Sequence, residues 1–312
     1  MTLSGDQLRA SYVACRCKSR RAGSNFSVGF LLLPPAKRRA MDALYAFLRH
    51  SDDLVDNPQP LRPCAAALGQ WRRALEDALS GRLDRAGSDL QRPLQPEEPQ
   101  VQAGRVLLPA LADTVRQFAI PPEHLRAVLD GLEMDLGRPR YETFQELKRY
   151  CERVASAVGL TCIHIWGFRG AEAFQPARQC GIALQLTNIL RDLYDDARQD
   201  RVYLPLGDLR ECNYTVEDLL HRVADKRFAR LMALEIERAE RYYRQGAALL
   251  DWLAPDGRRI FGMTMAVYRA LLRKIQRRPG DVFSRRVGLS RVKKLQIAAR
   301  WTLLPPRLAA LL

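Results

Sequence analysis

Apolar residues recur at helical spacing from one end of this chain to the other, and that periodicity excludes most fold classes at once. Few runs alternate in the manner of a half-buried strand, and the Asn-Gly or Asp-Gly pairs that signal hairpins are almost absent, Asp256-Gly257 being the exception. The chain has 312 residues, 47% hydrophobic and 27% charged, which is enough for a large core and argues against wholesale disorder. Helices are expected at about 5–21, 36–57, 64–82, 105–119, 122–136, 144–169, 174–197, 225–253 and 257–278, with a loop from 201–205 leading to 216–222. Pro34 and Pro35 open the second of these, and Pro58, Pro60 and Pro63 close it. Residues 81–104, rich in Pro, Gly and Gln, read as a loop or poorly ordered connection inside one domain spanning 1–312. The expected architecture is therefore all-α, a single domain with a central cavity between long helices.

On the helix expected at 174–197, Gln185, Asn188, Asp192 and Asp196 step by three, four and four residues. Such steps stack side chains on one helical face. Leu186, Ile189, Leu190 and Leu193 flank that face. A row of amide and carboxylate oxygens beside an apolar wall suits Mg²⁺, which takes carboxylates together with water and substrate phosphate oxygens. A second such row follows the apolar run 41–48, where Asp52 and Asp56 are four apart and Arg49 stands one turn before Asp53. Carboxylates four apart repel one another unless something neutralises them. The bland alternative is two solvated acidic helix faces. Two rows in apolar helices far apart in sequence favour facing helices that clamp a metal–diphosphate cluster.

The formal charge of +15 calls for a polyanionic partner: phosphorylated substrates, an anionic membrane surface or nucleic acid. A basic helical nucleic-acid-binding protein is the competing class, and acidic rows at 52/56 and 192/196 argue against it, so no nucleic acid is expected. Seven cysteines without a CxxC pair, and only four histidines, make a zinc site a poor fit, and the cysteines are read as reduced, mostly buried thiols of a cytoplasmic protein. No apolar run reaches the length of a transmembrane helix, and the N-terminal residues lack the apolar core of a signal peptide. Residues 301–312 are apolar and short; packing back onto the body is favoured over resting on a membrane surface.

These parts suit ionisation of an allylic diphosphate. Mg²⁺, or Mn²⁺ in its place, held by Asp52, Asp56, Asn188, Asp192 and Asp196 would neutralise the leaving diphosphate. Arg49 and Arg191 adjoin the rows and could bind its oxygens. The cation left behind needs a dry cavity with ring faces turned to it, for which Phe26, Phe30, Tyr45 and Tyr150 are candidates; ordinary core packing is the alternative for each. Small residues at 155–159, including Val158 and Gly159, would let a helix or a ligand approach closely. Glu133 and Asp135 stand near a helix C-terminus, where the macrodipole disfavours them.

Taken together, the blocks SNFSVGFLLLPPAKRRAMDALYAFLRHSDDLVD (24–56), EMDLGRPRYETFQELKRYCERVASAVGL (133–160), QLTNILRDLYDDARQDRVYLP (185–205), FGMTMAVYRALLRKI (261–275) and DVFSRRVGLSRVKKL (281–295) resemble the squalene/phytoene synthases, a family of head-to-head prenyl synthases. The resemblance implies an all-α isoprenoid-synthase fold, Mg²⁺ dependence and condensation of two identical prenyl diphosphates through a cyclopropylcarbinyl diphosphate. It implies that Asp52 and Asp56 form the first aspartate-rich motif, and Asp192 and Asp196 the second, with Gln185 and Asn188 beside them. Tyr45, Arg49, Tyr150, Tyr203 and Arg286 fall at diphosphate-binding or cavity positions, and Phe26 and Phe30 at cavity aromatics. Asn57, Glu152 and Asp200 depart from the family pattern, the last replacing a Gly common before RVYLP.

Within the family, TFQELKRYCERVASAVGLTCIHIWG is most similar to the bacterial enzyme that makes presqualene diphosphate from two farnesyl diphosphates for hopanoid synthesis, with phytoene or dehydrosqualene synthesis as the alternative. No GxGxxG fingerprint is present and no NADPH-dependent reduction is expected. The expected partners are prenyl diphosphates, the inner face of a membrane by peripheral contact, and downstream pathway enzymes.

Overall fold

A computed structural model describes residues 5–21, 29–55, 61–82, 98–137, 140–284 and 286–311. They form two compact units, 1–137 and 138–312. Both are helical, and among the described residues the only β feature is an isolated bridge between Phe168 and Leu253.

The first unit contains α1 (Gly5–Arg21), α2 (Pro35–Val55), α3 (Leu61–Leu79), α4 (Pro99–Gly104), α5 (Leu108–Gln117) and α6 (Pro122–Asp135). The loop expected over 81–104 thus ends early, because 99–104 are helical; residues 83–97 lie outside the described part. Pro99 opens α4 at a first-turn position, where its missing N–H costs nothing. α2 is the spine of this unit and packs on α1, α3, α5 and α6. Its buried face is tied down by polar links as well as apolar ones. Trp71 Nε1 donates to Ser51 Oγ at 2.9 Å, and that hydroxyl donates to Phe47 O at 2.9 Å. His50 lies edge-on to the Trp71 ring, and burial, with Lys18 nearby, pulls its pKa down to about 4, so it is neutral core. The awkward carboxylate at the end of α6 has a partner: Arg72 reaches from α3 to Asp130 at 2.7 Å and Glu133 at 3.2 Å.

The second unit contains α7 (Phe144–Cys151), α8 (Ala157–Trp166), α9 (Phe174–Arg198), α10 (Leu206–Glu211), α11 (Val216–Leu220), α12 (Lys226–Ala247), α13 (Leu249–Trp252), α14 (Pro255–Arg277) and α15 (Arg291–Leu303). The expected helix 144–169 is split. Residues 152–156 make one π-helical turn between α7 and α8. The widened turn lies against α9 at Gly181, where a Cβ would stand 2.4 Å from Ser156 Cα. Ser156 Oγ donates to Arg178 O at 2.7 Å and locks the contact. The expected helix 225–253 is likewise broken, at Ala248. α9 is the axis of this unit, packing on α7, α8, α11, α12 and α14. α10, α11 and α15 were not among the expected helices.

Candidate active site

α9 presents Gln185, Asn188, Asp192 and Asp196 on one half-buried face, with Leu186, Ile189, Leu190 and Leu193 buried beside them. Asn188 Nδ2 donates to Gln185 Oε1 at 3.3 Å, which leaves Asn188 Oδ1 buried and without a hydrogen-bond partner. A buried amide oxygen costs free energy unless something fills it. Asp192 is held by two guanidinium groups. Arg191 donates from Nε to Oδ1 at 2.8 Å and from Nη2 to Oδ2. Arg286, from the segment before α15, donates from Nε to Oδ1 at 2.8 Å and from Nη2 to Oδ2 at 3.4 Å. Burial lowers the pKa of Arg191, but its bonds to Asp192 more than reverse this and hold it above the ordinary value. Tyr268 of α14 is buried, which raises its pKa, while Arg191 pulls the other way.

The donor set fits a hard divalent cation. Asn188 Oδ1, Asp192 and Asp196 offer oxygen donors at helical spacing, and the buried Asn188 oxygen is one that a cation could satisfy. Asp192 would have to release at least one arginine contact to take part. Among the described residues no group of three or more His, Cys, Asp or Glu is arranged to hold a metal ion.

On α2, Asp52 and Asp53 are half-buried, and Asp56 lies outside the described residues, as does Asn57. Arg49 Nη2 pairs with Asp53 Oδ1 at 2.6 Å and Lys18 Nζ with Asp53 Oδ2 at 2.9 Å. Both cations thus pair with Asp53, one position along from Asp52. Phe30 is buried and meets Tyr45 edge-on, with ring centroids 6.3 Å apart, while Phe26 lies outside the described residues.

A third group surrounds the segment 202–205, which is buried throughout. Tyr150 and Tyr203 stack with centroids 5.4 Å apart, and Tyr141 joins them at 5.7 Å and 6.5 Å. The segment is fixed by backbone bonds from Leu206 N to Tyr141 O at 2.8 Å and from Gly207 N to Glu142 O at 3.0 Å. Asp200 adopts φ +55°, a conformation in which a side chain is unfavourable and glycine is free. Arg140 compensates, donating to Asp200 O at 2.9 Å and to Asp200 Oδ1 at 2.8 Å. The departure from the expected Gly is thus matched by a neighbour. Arg238 of α12 bridges Asp208 at 2.5 Å and Glu235 at 2.7 Å, and its guanidinium lies 4.2 Å from the centre of the Phe144 ring. Glu235 is 1% exposed, and burial pushes its carboxyl up to about 8 although Arg238 pulls it down.

Val158 and Gly159 are half-buried on α8. A Cβ on Gly159 would stand 3.2 Å from Ala177 O, so its lack of a side chain serves the seat of α8 on α9. Sequence reasoning missed Tyr141, Arg140 and Tyr268. The first two sit in GRPRY, and the αL position they support was visible only as an unexplained Asp200; Tyr268 had no signal apart from apolar spacing.

Comparison with known proteins places this geometry in a family. The model of squalene/phytoene synthase matches residues 19–293, which covers parts of both compact units. The chain is similar to a 15-cis-phytoene synthase of Synechocystis sp., 36% identical over 297 residues that make up 91% of this chain and 82% of the relative. Among solved structures it is similar to a dehydrosqualene synthase in complex with ligand, with TM-score 0.80, 25% identity and coverage of 95% and 97% of the two chains. It is also similar to squalene synthase HpnC from Alicyclobacillus acidocaldarius, with TM-score 0.75, 27% identity and coverage of 88% and 95%.

Proposed function

The chain belongs to the squalene/phytoene synthase family and is a prenyltransferase, and from that premise we propose that it joins two geranylgeranyl diphosphates head to head to give phytoene. The observation that carries a diphosphate reaction is the oxygen-donor face of α9, with the unfilled Asn188 Oδ1 and two arginines on Asp192. The choice of substrate is supported by the higher identity to a phytoene synthase, 36%, than to HpnC, 27%. A second reading, presqualene diphosphate from two farnesyl diphosphates, is supported by the run TFQELKRYCERVASAVGLTCIHIWG and by the likeness to HpnC.

Both readings share their first half. The C1–O bond of one prenyl diphosphate breaks and inorganic diphosphate leaves with the bond pair. The double bond of the second substrate attacks the allylic cation, and loss of a proton closes a cyclopropane that still carries one diphosphate. Phytoene requires loss of that diphosphate and of a second proton, with no reductant. Asp52 and Asp56 in the first unit, and Asn188, Asp192 and Asp196 in the second, would each hold Mg²⁺, which when bound neutralises charge on the leaving diphosphate. Arg49, Arg191 and Arg286 bind diphosphate oxygens by charge-assisted hydrogen bonds. Tyr150 and Tyr203, with Tyr141, offer ring faces to positive charge and exclude water. Phe26, Phe30 and Tyr45 in the first unit, and Val158, Gly159 and Gln185 in the second, are the further residues proposed to contact substrate. Enzyme of this kind meets substrates and products with long apolar tails, which supports a cytoplasmic protein in peripheral contact with the inner face of a membrane.

Incubation with geranylgeranyl or farnesyl diphosphate, each with and without NADPH and with Mg²⁺ or a chelator, tests the reading. Phytoene from the longer substrate, independent of NADPH and lost with the chelator, is expected. Presqualene diphosphate from farnesyl diphosphate alone would replace the first reading by the second, and no product from either substrate would end both.

A further inference from the structure

α15 has two apolar faces, and only one of them is used by the fold. Ile297 and Trp301, four residues apart, are 8% and 2% exposed. They seat the helix on α14, where Gly262 leaves room for the Trp301 indole: a Cβ there would stand 2.1 Å from Cζ3. Arg259 of α14 donates to Trp301 O and Thr302 O, and Arg269 donates to Leu311 O beyond the helix. Within the terminal stretch expected to pack back, Trp301 and Leu311 do so, while 302–305 are exposed. The rotation of α15 about its axis is fixed by these contacts. It turns Val292, Leu295, Ala299 and Leu303, which step by three, four and four residues, outward. Val292 is 64% exposed, Leu295 67% and Leu303 78%.

At about 100° per residue, Lys293 and Arg300 border this stripe on one side and Arg291 on the other. No Asp or Glu occurs anywhere in residues 282–312. An outward apolar stripe between rows of cations is the pattern of a helix that lies in a lipid interface, with the long basic side chains reaching to the headgroups. A second copy of this chain is a poor occupant, because a two-fold contact through the same face would bring these cations together with no carboxylate to meet them. We propose that the outward face of α15 docks on an anionic lipid surface through Val292, Leu295 and Leu303, with Arg291, Lys293 and Arg300 contacting headgroups. This deepens the peripheral membrane contact suggested above and needs no assumption about the product.

Sedimentation of the full chain with phosphatidylglycerol-containing vesicles, without substrate, is the test. The protein is expected to bind these vesicles, more weakly at high salt, and to bind vesicles of phosphatidylcholine alone poorly. Leu295→Glu combined with Leu303→Glu should weaken binding about tenfold or more, with the unfolding midpoint and prenyl diphosphate turnover unchanged. Lys293→Gln with Arg300→Gln, which keeps the apolar stripe, should weaken it about fivefold or more and reduce its salt dependence. Wild-type protein that stays in the supernatant, or Glu variants that bind as well as wild type, would overturn the proposal. So would light scattering that shows a dimer converted to monomer by the Glu substitutions.

Discussion

The two acidic stretches are alike in sequence, yet Asp53 of one and Asp192 of the other are paired by cations in different positions relative to their rows. On α2 the cations Lys18 and Arg49 take Asp53, one position off the row of Asp52 and Asp56. On α9 Arg191 and Arg286 take Asp192, a member of the row itself. The Lys18 pair with Asp53 ties α1 to α2. Cations on the row occupy the oxygens a metal would use. The two arginines on Asp192 are not equivalent either: the side chain of Arg191 is 14% exposed and that of Arg286 62%. An exposed ion pair is worth little and breaks easily. Arg286 is therefore the partner expected to leave Asp192 for a diphosphate, with Arg191 staying to orient the carboxylate.

That contrast can be broken most directly at the rows. Asp192→Ala and Asp52→Ala should each lower turnover at least about a hundredfold, or about 2.7 kcal/mol of transition-state stabilisation. If Asp192→Ala turned over like wild type, the α9 row would be a solvated face after all. Next in size, Arg286→Gln should reduce kcat/KM about tenfold, mostly in KM, because a charge-assisted contact to substrate is lost while Arg191 keeps Asp192 in place. A change confined to thermal stability would instead make Arg286 a structural partner of Asp192.

A smaller effect tests the buried Glu235–Arg238 pair. Glu235 has a folded pKa of about 8 against an ordinary value of 4.5. The folded chain then holds a proton that the unfolded chain has released, so stability should fall as pH rises from about 4.5 to about 8. Glu235→Gln should flatten that slope in urea titrations, and an unchanged slope would place the titration elsewhere. The smallest effect belongs to the off-row carboxylate. Asp53→Asn should leave turnover close to wild type and lower stability by about 1 kcal/mol or less, since both of its pairs are half-exposed. A loss of turnover like that of Asp52→Ala would erase the distinction between the two rows.

Most of the helices were legible because helical spacing is local: α1, α3, α6, α9 and α14 fall within a few residues of the periodicity that announces them. The misses have physical reasons. The π turn at 152–156 is stabilised by its seat against Gly181, a contact no local pattern records. α15 was hidden because its outward face is apolar and basic at once, so its single buried stripe does not stand out. Asp200 was visible as an anomaly, but its explanation, Arg140, becomes a neighbour only when 140–141 pairs with 206–207.

The sequence by itself determined the all-α class, the two rows of oxygen ligands and the chemistry they suit, because each depends on spacing of three or four residues along one helix. Only the tertiary structure decided which cations meet which carboxylates, and which way α15 faces. Arg286 lies 94 residues from Asp192 along the chain, and nothing short of the folded path of α14 and the segment after it brings them together.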